Sequence, residues 1–161
     1  MPVRTHLLVV ANQTVDSPDL VSALAQRSAQ SPIHVTLLAP VLWAEREEAR
    51  ERLNQACVRL KEQGIESDGL LGDADPVVAV QEVWNPGRFD EVMVSTFETG
   101  ASRWMQIDLP HRIAKLTDCN VRHVESRPAR EPVPPAPPAP RPGLLESALG
   151  LLRTGTRGDT A

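Results

Sequence analysis

The sequence has few of the residues that mark secreted, membrane or nucleic-acid-binding proteins. Its two cysteines, Cys57 and Cys119, lie far apart, so they give neither a metal-binding spacing nor a disulfide framework. No apolar run approaches the roughly 18 residues that a transmembrane helix requires. The net charge of -4 argues against nucleic acid or an anionic membrane as a partner. We therefore expect a cytoplasmic protein with unpaired thiols.

The composition predicts one globular domain followed by a tail. Hydrophobic residues make up 41% and charged residues 24% of the 161 residues, which is ordinary for a globular chain. Eight of the 15 prolines fall within 128–142, where neither helix nor sheet accommodates them. We predict a domain over 1–126, a polyproline linker over 127–142, and a short amphipathic helix with a disordered end over 143–161. Its leucine-rich part, 144–152, is a candidate docking helix for a second copy of the chain, for another protein or, least favoured, for a membrane surface. The alternative is a disordered end without a role.

Apolar runs and helical patterns alternate through the predicted domain. The first apolar run is too short for a signal peptide and predicts a strand. Predicted strands are 6–11, 33–39, 65–71, 91–95 and 121–125, and predicted helices are 18–29, 43–63, 76–84 and 109–116. Ser17, Asp75 and Asp108 stand at helix starts as caps, and Gly64 stands just past a helix end. This alternation predicts an α/β fold, with an open five-stranded parallel sheet and helices on both faces.

Several motifs, in this order and spacing, resemble the universal stress protein family. The first strand, LLVVANQT, resembles the family's ILVAxDGS, and GDADP at 72–76 resembles its GDP-like turn. CNVRHV at 119–124 resembles CPVLVV, and 94–113 lies over the family's glycine-rich loop and the helix after it. The resemblance covers 4–126. It implies a Rossmann-like sheet of strand order 3-2-1-4-5, with a ligand crevice between strands one and four.

The glycine-rich loop of ATP-binding family members, G-x-x-G-x9-G-[ST], is largely missing. Its glycine positions fall on Val94, Phe97 and Ile107, and its terminal hydroxyl position falls on Asp108. Glycines let backbone amides approach a phosphate, whereas a carboxylate repels one. The resemblance therefore implies a weakened or altered site for ATP or another adenine nucleotide.

A reduced set of polar residues remains suited to a ligand. The strand-one acid that contacts the nucleotide in the family aligns with Asn12. A glycine, a hydroxyl and a guanidinium in the degenerate loop could hold one anion. Ser95 and Thr96 follow the fourth strand, where their hydroxyls either bind a ligand or only turn the chain. The candidate ligand-binding residues are Asn12, Ser95, Thr96, Gly100, Ser102 and Arg103.

Other chemistry-bearing residues have simpler structural interpretations. The carboxylates of the 72–76 turn suggest a metal, but capping by Asp75 explains them better, and an edge third strand would place the turn away from the crevice. His111 is expected on a helix surface, and His6, His34 and His123 on strands as packing or edge residues. Trp104 with Met105 is interpreted as an anchor in the core rather than a lid. We predict neither a catalytic nor a metal-binding residue.

These patterns favour a non-enzymatic, stress-associated or regulatory binding module that resembles universal stress proteins and keeps a weakened adenine-nucleotide or small-anion site. The alternative is a protein-interaction scaffold whose pocket is filled by Phe97, Trp104 and Ile107. A third hypothesis, an enzyme of the wider nucleotide-hydrolase group, is disfavoured by the missing glycines. The resemblance also implies a homodimer formed through the edge of the fifth strand.

Overall fold

The structure, a computed structural model, describes residues 3–98, 104 and 107–127. Over these residues the strands are β1 (Thr5–Val10), β2 (Ile33–Pro40), β3 (Glu66–Gly72), β4 (Glu91–Phe97) and β5 (Val121–Ser126). The helices are α1 (Pro18–Gln30), α2 (Arg46–Glu62), α3 (Pro76–Val83) and α4 (Leu109–Thr117), with a 3-10 turn at Trp43–Glu45 before α2. All strand pairs are parallel, in the order β3-β2-β1-β4-β5. The predicted fold class and strand order are confirmed.

The residues that the sequence marks as helix ends mostly act as such. The Ser17 hydroxyl caps α1 by accepting a hydrogen bond from the backbone N–H of Leu20 at 3.1 Å. The Asp75 carboxylate caps α3 by accepting from the N–H of Val77 at 2.8 Å. Gly64 follows α2 with φ 76°, a left-handed conformation that glycine adopts without strain. At these three helix ends, the structure therefore shows the interaction or conformation on which the prediction was based.

The start of α4 differs from the prediction. Asp108 occupies the cap position, but its side chain accepts no capping hydrogen bond from the described helix and its backbone is left-handed, with φ 50°. Its carbonyl instead accepts from the N–H of Arg112 at 3.1 Å. A capping side chain normally reaches the helix from extended backbone, and Pro110 in the first turn has no N–H to donate. The predicted carboxylate cap at Asp108 is therefore wrong.

The sheet is covered on both faces. Successive residues of β1 point to opposite faces, and all of them from Leu7 to Val10 are buried. Leu7 and Val9 belong to the core cluster that includes residues of α1 and α2, whereas Leu8 and Val10 belong to the cluster that includes residues of α3 and α4. Burial on both faces explains why β1 reads as a continuous apolar run rather than an alternating one.

Near the first residues of the strands, Arg27 forms an ion pair with Glu91. Arg27 Nη2 lies 2.7 Å from Glu91 Oε1, and Arg27 Nε lies 3.2 Å from Glu91 Oε2. Arg27 Nη1 also donates to the Ser31 hydroxyl at 2.8 Å. The hydrogen bond to Glu91 raises the pKa of Arg27 above its ordinary value, although burial opposes this. The guanidinium of Arg27 therefore stays charged, although only 10% of the Arg27 side chain is exposed.

The predicted tail lies almost entirely beyond the described residues. Arg127, the first residue of the predicted linker, donates its backbone N–H to Asp19 Oδ2 at 2.9 Å. The remainder of 127–142, the segment 143–161 and its proposed helix at 144–152 lie outside the described residues, so these assignments stay predictions. Among the helices that the structure describes, none is both long and apolar enough to cross a bilayer.

Candidate functional site

A cleft of about 700 Å³ opens at the carboxyl ends of the central strands. It is lined by residues 12–14 after β1, 40–42 at the end of β2, 74–76 at the start of α3 and 95–97 at the end of β4, with Glu45, Trp104 and Ile107. The strand order reverses between β1 and β4, and ligands of open α/β sheets bind at such a switch point. The cleft therefore lies where the resemblance placed the crevice.

Three of the six predicted ligand residues border this cleft, namely Asn12, Ser95 and Thr96. The side chains of these three make very different contacts. The other three lie outside the described residues and stay predictions: Gly100, Ser102 and Arg103.

Asn12 presents an unsatisfied hydrogen-bond acceptor. It directly follows β1, and its Oδ1 atom is buried with no hydrogen-bond partner among the described residues. Buried acceptors are nearly always paired, and an unpaired one costs about 1–3 kcal/mol. Of the buried side-chain atoms without a partner in the described chain, this one alone borders the cleft. Asn12 is thus suited to an N–H or O–H donor that enters the cleft.

The Ser95 hydroxyl, in contrast, is used within the protein. Ser95 Oγ donates to Thr14 Oγ1 at 2.8 Å and lies 3.4 Å from Ser126 Oγ. Ser126 Oγ lies 2.8 Å from Ser17 Oγ, so the four buried hydroxyls join the ends of β1, β4 and β5 to the start of α1. Of the two interpretations left open for Ser95, the structure favours the structural one. Sequence spacing does not predict this cluster, because Thr14 and Ser17 meet Ser95 and Ser126 only through the pairing of distant strands.

The Thr96 hydroxyl contacts a histidine that the sequence interpretation set aside. Thr96 Oγ1 lies 2.7 Å from His123 Nε2 and 3.2 Å from the carbonyl oxygen of Phe97. When the single hydroxyl proton is donated to that carbonyl, His123 Nε2 must carry a proton and donate to Thr96. His123 therefore packs from β5 against a residue that borders the cleft, which agrees with its interpretation as a packing or edge residue.

The 72–76 turn lies beside the cleft, which corrects the expectation that it would lie away from it. Gly72 pairs with Pro40 in the parallel register of β3 and β2, and its carbonyl accepts from the N–H of Val41 at 3.4 Å. This pairing places Ala74, Asp75 and Pro76 against the segment that follows β2. Edge position in the sheet does not remove the turn from the site.

The charged groups on the described cleft lining are all acidic. Glu45 is exposed at the end of the 3-10 turn, and Asp75 caps α3. The described lining residues include no lysine or arginine. Sequence reasoning missed Glu45 because it lies inside the charged segment 43–63, whose pattern predicts one long helix.

An apolar wall faces these polar groups. Phe97, Trp104 and Ile107 border the cleft together with Val41 and Leu42. Trp104 is half-buried and packs against the core cluster on the α3 and α4 side, which agrees with the predicted anchor. The three residues proposed to fill the pocket all lie on the described cleft lining. Met105 lies outside the described residues.

The remaining candidate groups do not border the described cleft. The described residues contain no cluster of three or more His, Cys, Asp or Glu side chains able to hold a metal ion. Cys57 and Cys119 are free thiols, as predicted. His111 is exposed on α4, in line with its interpretation as a surface histidine.

Comparison with solved structures identifies the fold as that of universal stress proteins. A universal stress protein from Archaeoglobus fulgidus matches with TM-score 0.57 and 11% identity, over 76% of this chain and 95% of that one. A universal stress protein in complex with cAMP matches with TM-score 0.57 and 19% identity, over 76% and 98%. The Archaeoglobus fulgidus protein in complex with dAMP matches with TM-score 0.54 and 12% identity, over 78% and 100%. No protein-family model and no curated protein matches the chain.

Proposed function

We propose that this protein is a non-enzymatic binding module that holds an adenine nucleotide or a related small molecule in the cleft between β1 and β4. The unsatisfied Asn12 Oδ1 in an open cleft at the switch point carries this proposal. Two proteins of the same fold have been solved with cAMP and dAMP, which supports an adenine-containing ligand. The proposed role is regulatory or stress-associated, because a protein that binds a ligand without converting it exerts its effect through the ligand-bound form.

The arrangement of the polar groups supports binding rather than catalysis. The closest approach to a nucleophile–base pair in the described cleft is Thr96 with His123. Thr96 is 2% exposed, and its hydroxyl also bonds to a backbone carbonyl. A nucleophile needs a free approach to substrate and a base that takes its proton. We therefore assign this pair to holding β4 and β5 together at the floor of the cleft.

The direct test is calorimetry of the full chain against adenosine, AMP, ADP, ATP and cAMP, with and without Mg²⁺. Quenching of tryptophan fluorescence gives a second readout, because Trp104 borders the cleft. Saturable binding of at least one adenine ligand, without its hydrolysis, is the expected result. If none binds at millimolar concentration, the protein-interaction scaffold becomes the better hypothesis.

Replacement of Asn12 by alanine should weaken binding of the adenine ligand about tenfold, because a hydrogen bond is worth about 1.4 kcal/mol. The melting temperature should stay unchanged or rise slightly, since the variant removes a buried acceptor that has no partner in the described chain. The matched control is Asn54→Ala, which truncates an exposed asparagine on α2. Equal affinity in Asn12→Ala and the parent would remove Asn12 from the site.

A homodimer formed through β5 is the second element of the proposal. β5 pairs with β4 on one side and is an outer strand of the described sheet, so its backbone groups can pair with a second copy. Arg122 and Glu125 are exposed along this strand. Light scattering at micromolar concentration should give twice the chain mass, and Val121→Pro should convert the dimer to monomer. A parent protein that is monomeric under these conditions would contradict the proposal.

A further inference from the structure

The helix starts beside the cleft do not offer a phosphate site. The N-terminus of a helix binds anions through free N–H groups. At α3, the N–H groups of Val77 and Val78 already point to the Asp75 carboxylate, at 2.8 and 3.4 Å, and Pro76 has no N–H. A phosphate at this end would have to displace a carboxylate that the helix itself supplies.

The start of α4 is unfavourable to phosphate for a related reason. Ile107 borders the cleft, and Asp108 follows it with a carboxylate that is not engaged in capping the described helix. Pro110 in the first turn removes another N–H donor. Both helix starts next to the described cleft therefore combine a carboxylate with a proline, and both disfavour a multiply charged anion.

Glu45 adds an exposed negative charge at the mouth. Its carboxylate has no ion-pair partner among the described residues, and the described lining offers no basic side chain to offset it. Like charges repel across several ångströms in a protein cleft, and the repulsion grows with each phosphate on the ligand. The other side of the cleft is apolar. Asn12 Oδ1 has no hydrogen-bond donor among the described residues. A nucleoside matches this surface, because it has a flat aromatic base and N–H and O–H donors but no charge.

We propose that the cleft selects nucleoside-like ligands and discriminates against polyphosphates, with Glu45 as the residue that sets this preference. This inference rests on the proposed adenine-binding function and names its ligand class.

The test is a comparison of dissociation constants for adenosine, AMP and ATP without Mg²⁺, at low and high salt, in the parent and two variants. In the parent at low salt, ATP should bind at least about tenfold more weakly than adenosine. This difference should shrink in about 0.5 M salt, where the electrostatic screening length falls to a few ångströms. Glu45→Gln should tighten ATP binding several-fold, and Glu45→Lys about tenfold or more, with adenosine affinity unchanged.

The matched control is Glu48→Gln, which removes an exposed carboxylate one turn further along the chain that does not line the cleft. It should leave the ATP-to-adenosine ratio unchanged. Tighter binding of ATP than of adenosine by the parent would overturn the charge preference alone and leave the adenine-binding function standing. An unchanged ratio in both Glu45 variants would overturn the role of Glu45. Failure of every adenine ligand to bind would overturn the function as well.

Discussion

Replacing Glu91 by alanine is expected to lower the free energy of unfolding by about 2–3 kcal/mol, among the largest effects of any single substitution outside the apolar core. The variant leaves the Arg27 guanidinium, whose side chain is 10% exposed, without its carboxylate. Removing one partner of a buried ion pair costs more than the pair itself contributes, because the remaining charge stays desolvated. The cost falls short of that for a fully buried pair, because the Glu91 side chain is 37% exposed and Arg27 keeps its hydrogen bond to Ser31. Urea unfolding at neutral pH measures the change.

Two further variants separate desolvation from simple loss of an ion pair. Glu47→Ala removes a pair with Arg50 whose side chains are 90% and 59% exposed, and should change stability by less than about 0.5 kcal/mol. The double replacement Arg27→Met with Glu91→Met removes both charges and should recover most of the lost stability. Because the pKa of Arg27 is raised above an ordinary value that is already far above neutrality, its contribution should not vary between pH 6 and pH 8. If Glu91→Ala and Glu47→Ala cost the same, the desolvation argument is wrong.

The fold was predictable because each element carries its own local signal. β1 is a continuous apolar run that is buried on both faces, and Ser17 with Pro18 marks the start of α1 through one hydrogen bond within the helix. Such signals act over a few residues and can be read along the chain. Asp108 shows their limit, because the same residue type at a helix start adopts a left-handed backbone and caps nothing in the described helix.

The site was less predictable because its members come from distant segments. The resemblance points to Asn12, and the position of Thr96 at the end of the fourth strand points to Thr96; both border the cleft. The contact between Thr96 and His123 depends on the pairing of β4 with β5, and the hydroxyl of Ser95 is engaged by Thr14 across the sheet. Glu45 borders the cleft from a 3-10 turn, where the sequence pattern predicts the first turn of a long helix. None of these contacts has a signature in sequence spacing.

The turn before α3 shows the same dependence on packing. The expectation that the 72–76 turn lies away from the crevice rests only on the edge position of β3. The parallel register sets Gly72 beside Pro40, and this brings the following residues, among them Asp75, to the cleft. Glycine at position 72 is explained by the lack of room for a side chain beside Ala79, rather than by a backbone conformation that only glycine adopts.

Replacement of Gly72 by alanine is expected to destabilise the protein by about 2–3 kcal/mol, as overpacking of a tight core contact does. A Cβ atom at Gly72 would lie 2.6 Å from Ala79 Cβ and 3.0 Å from Leu38 Cδ1, so α3 would have to move away from the sheet. Because α3 carries Asp75 and Pro76 at the cleft, the same movement should also weaken ligand binding. Thermal unfolding followed by circular dichroism measures the first effect, and calorimetry with adenosine the second.

The double variant Gly72→Ala with Ala79→Gly tests whether the contact is the cause. Ala79→Gly alone should cost about 1 kcal/mol or slightly more, from the lower helix propensity of glycine and the lost methyl group. If the two methyl groups collide, the double variant should be more stable than the sum of the single effects predicts. Gly64→Ala is the control for conformation: nothing lies within 4 Å of its Cβ, so the cost of about 1 kcal/mol comes from its φ of 76° alone. Additive costs at Gly72 and Ala79 would show that α3 adjusts without strain, and would contradict the close packing that joins this helix to the cleft.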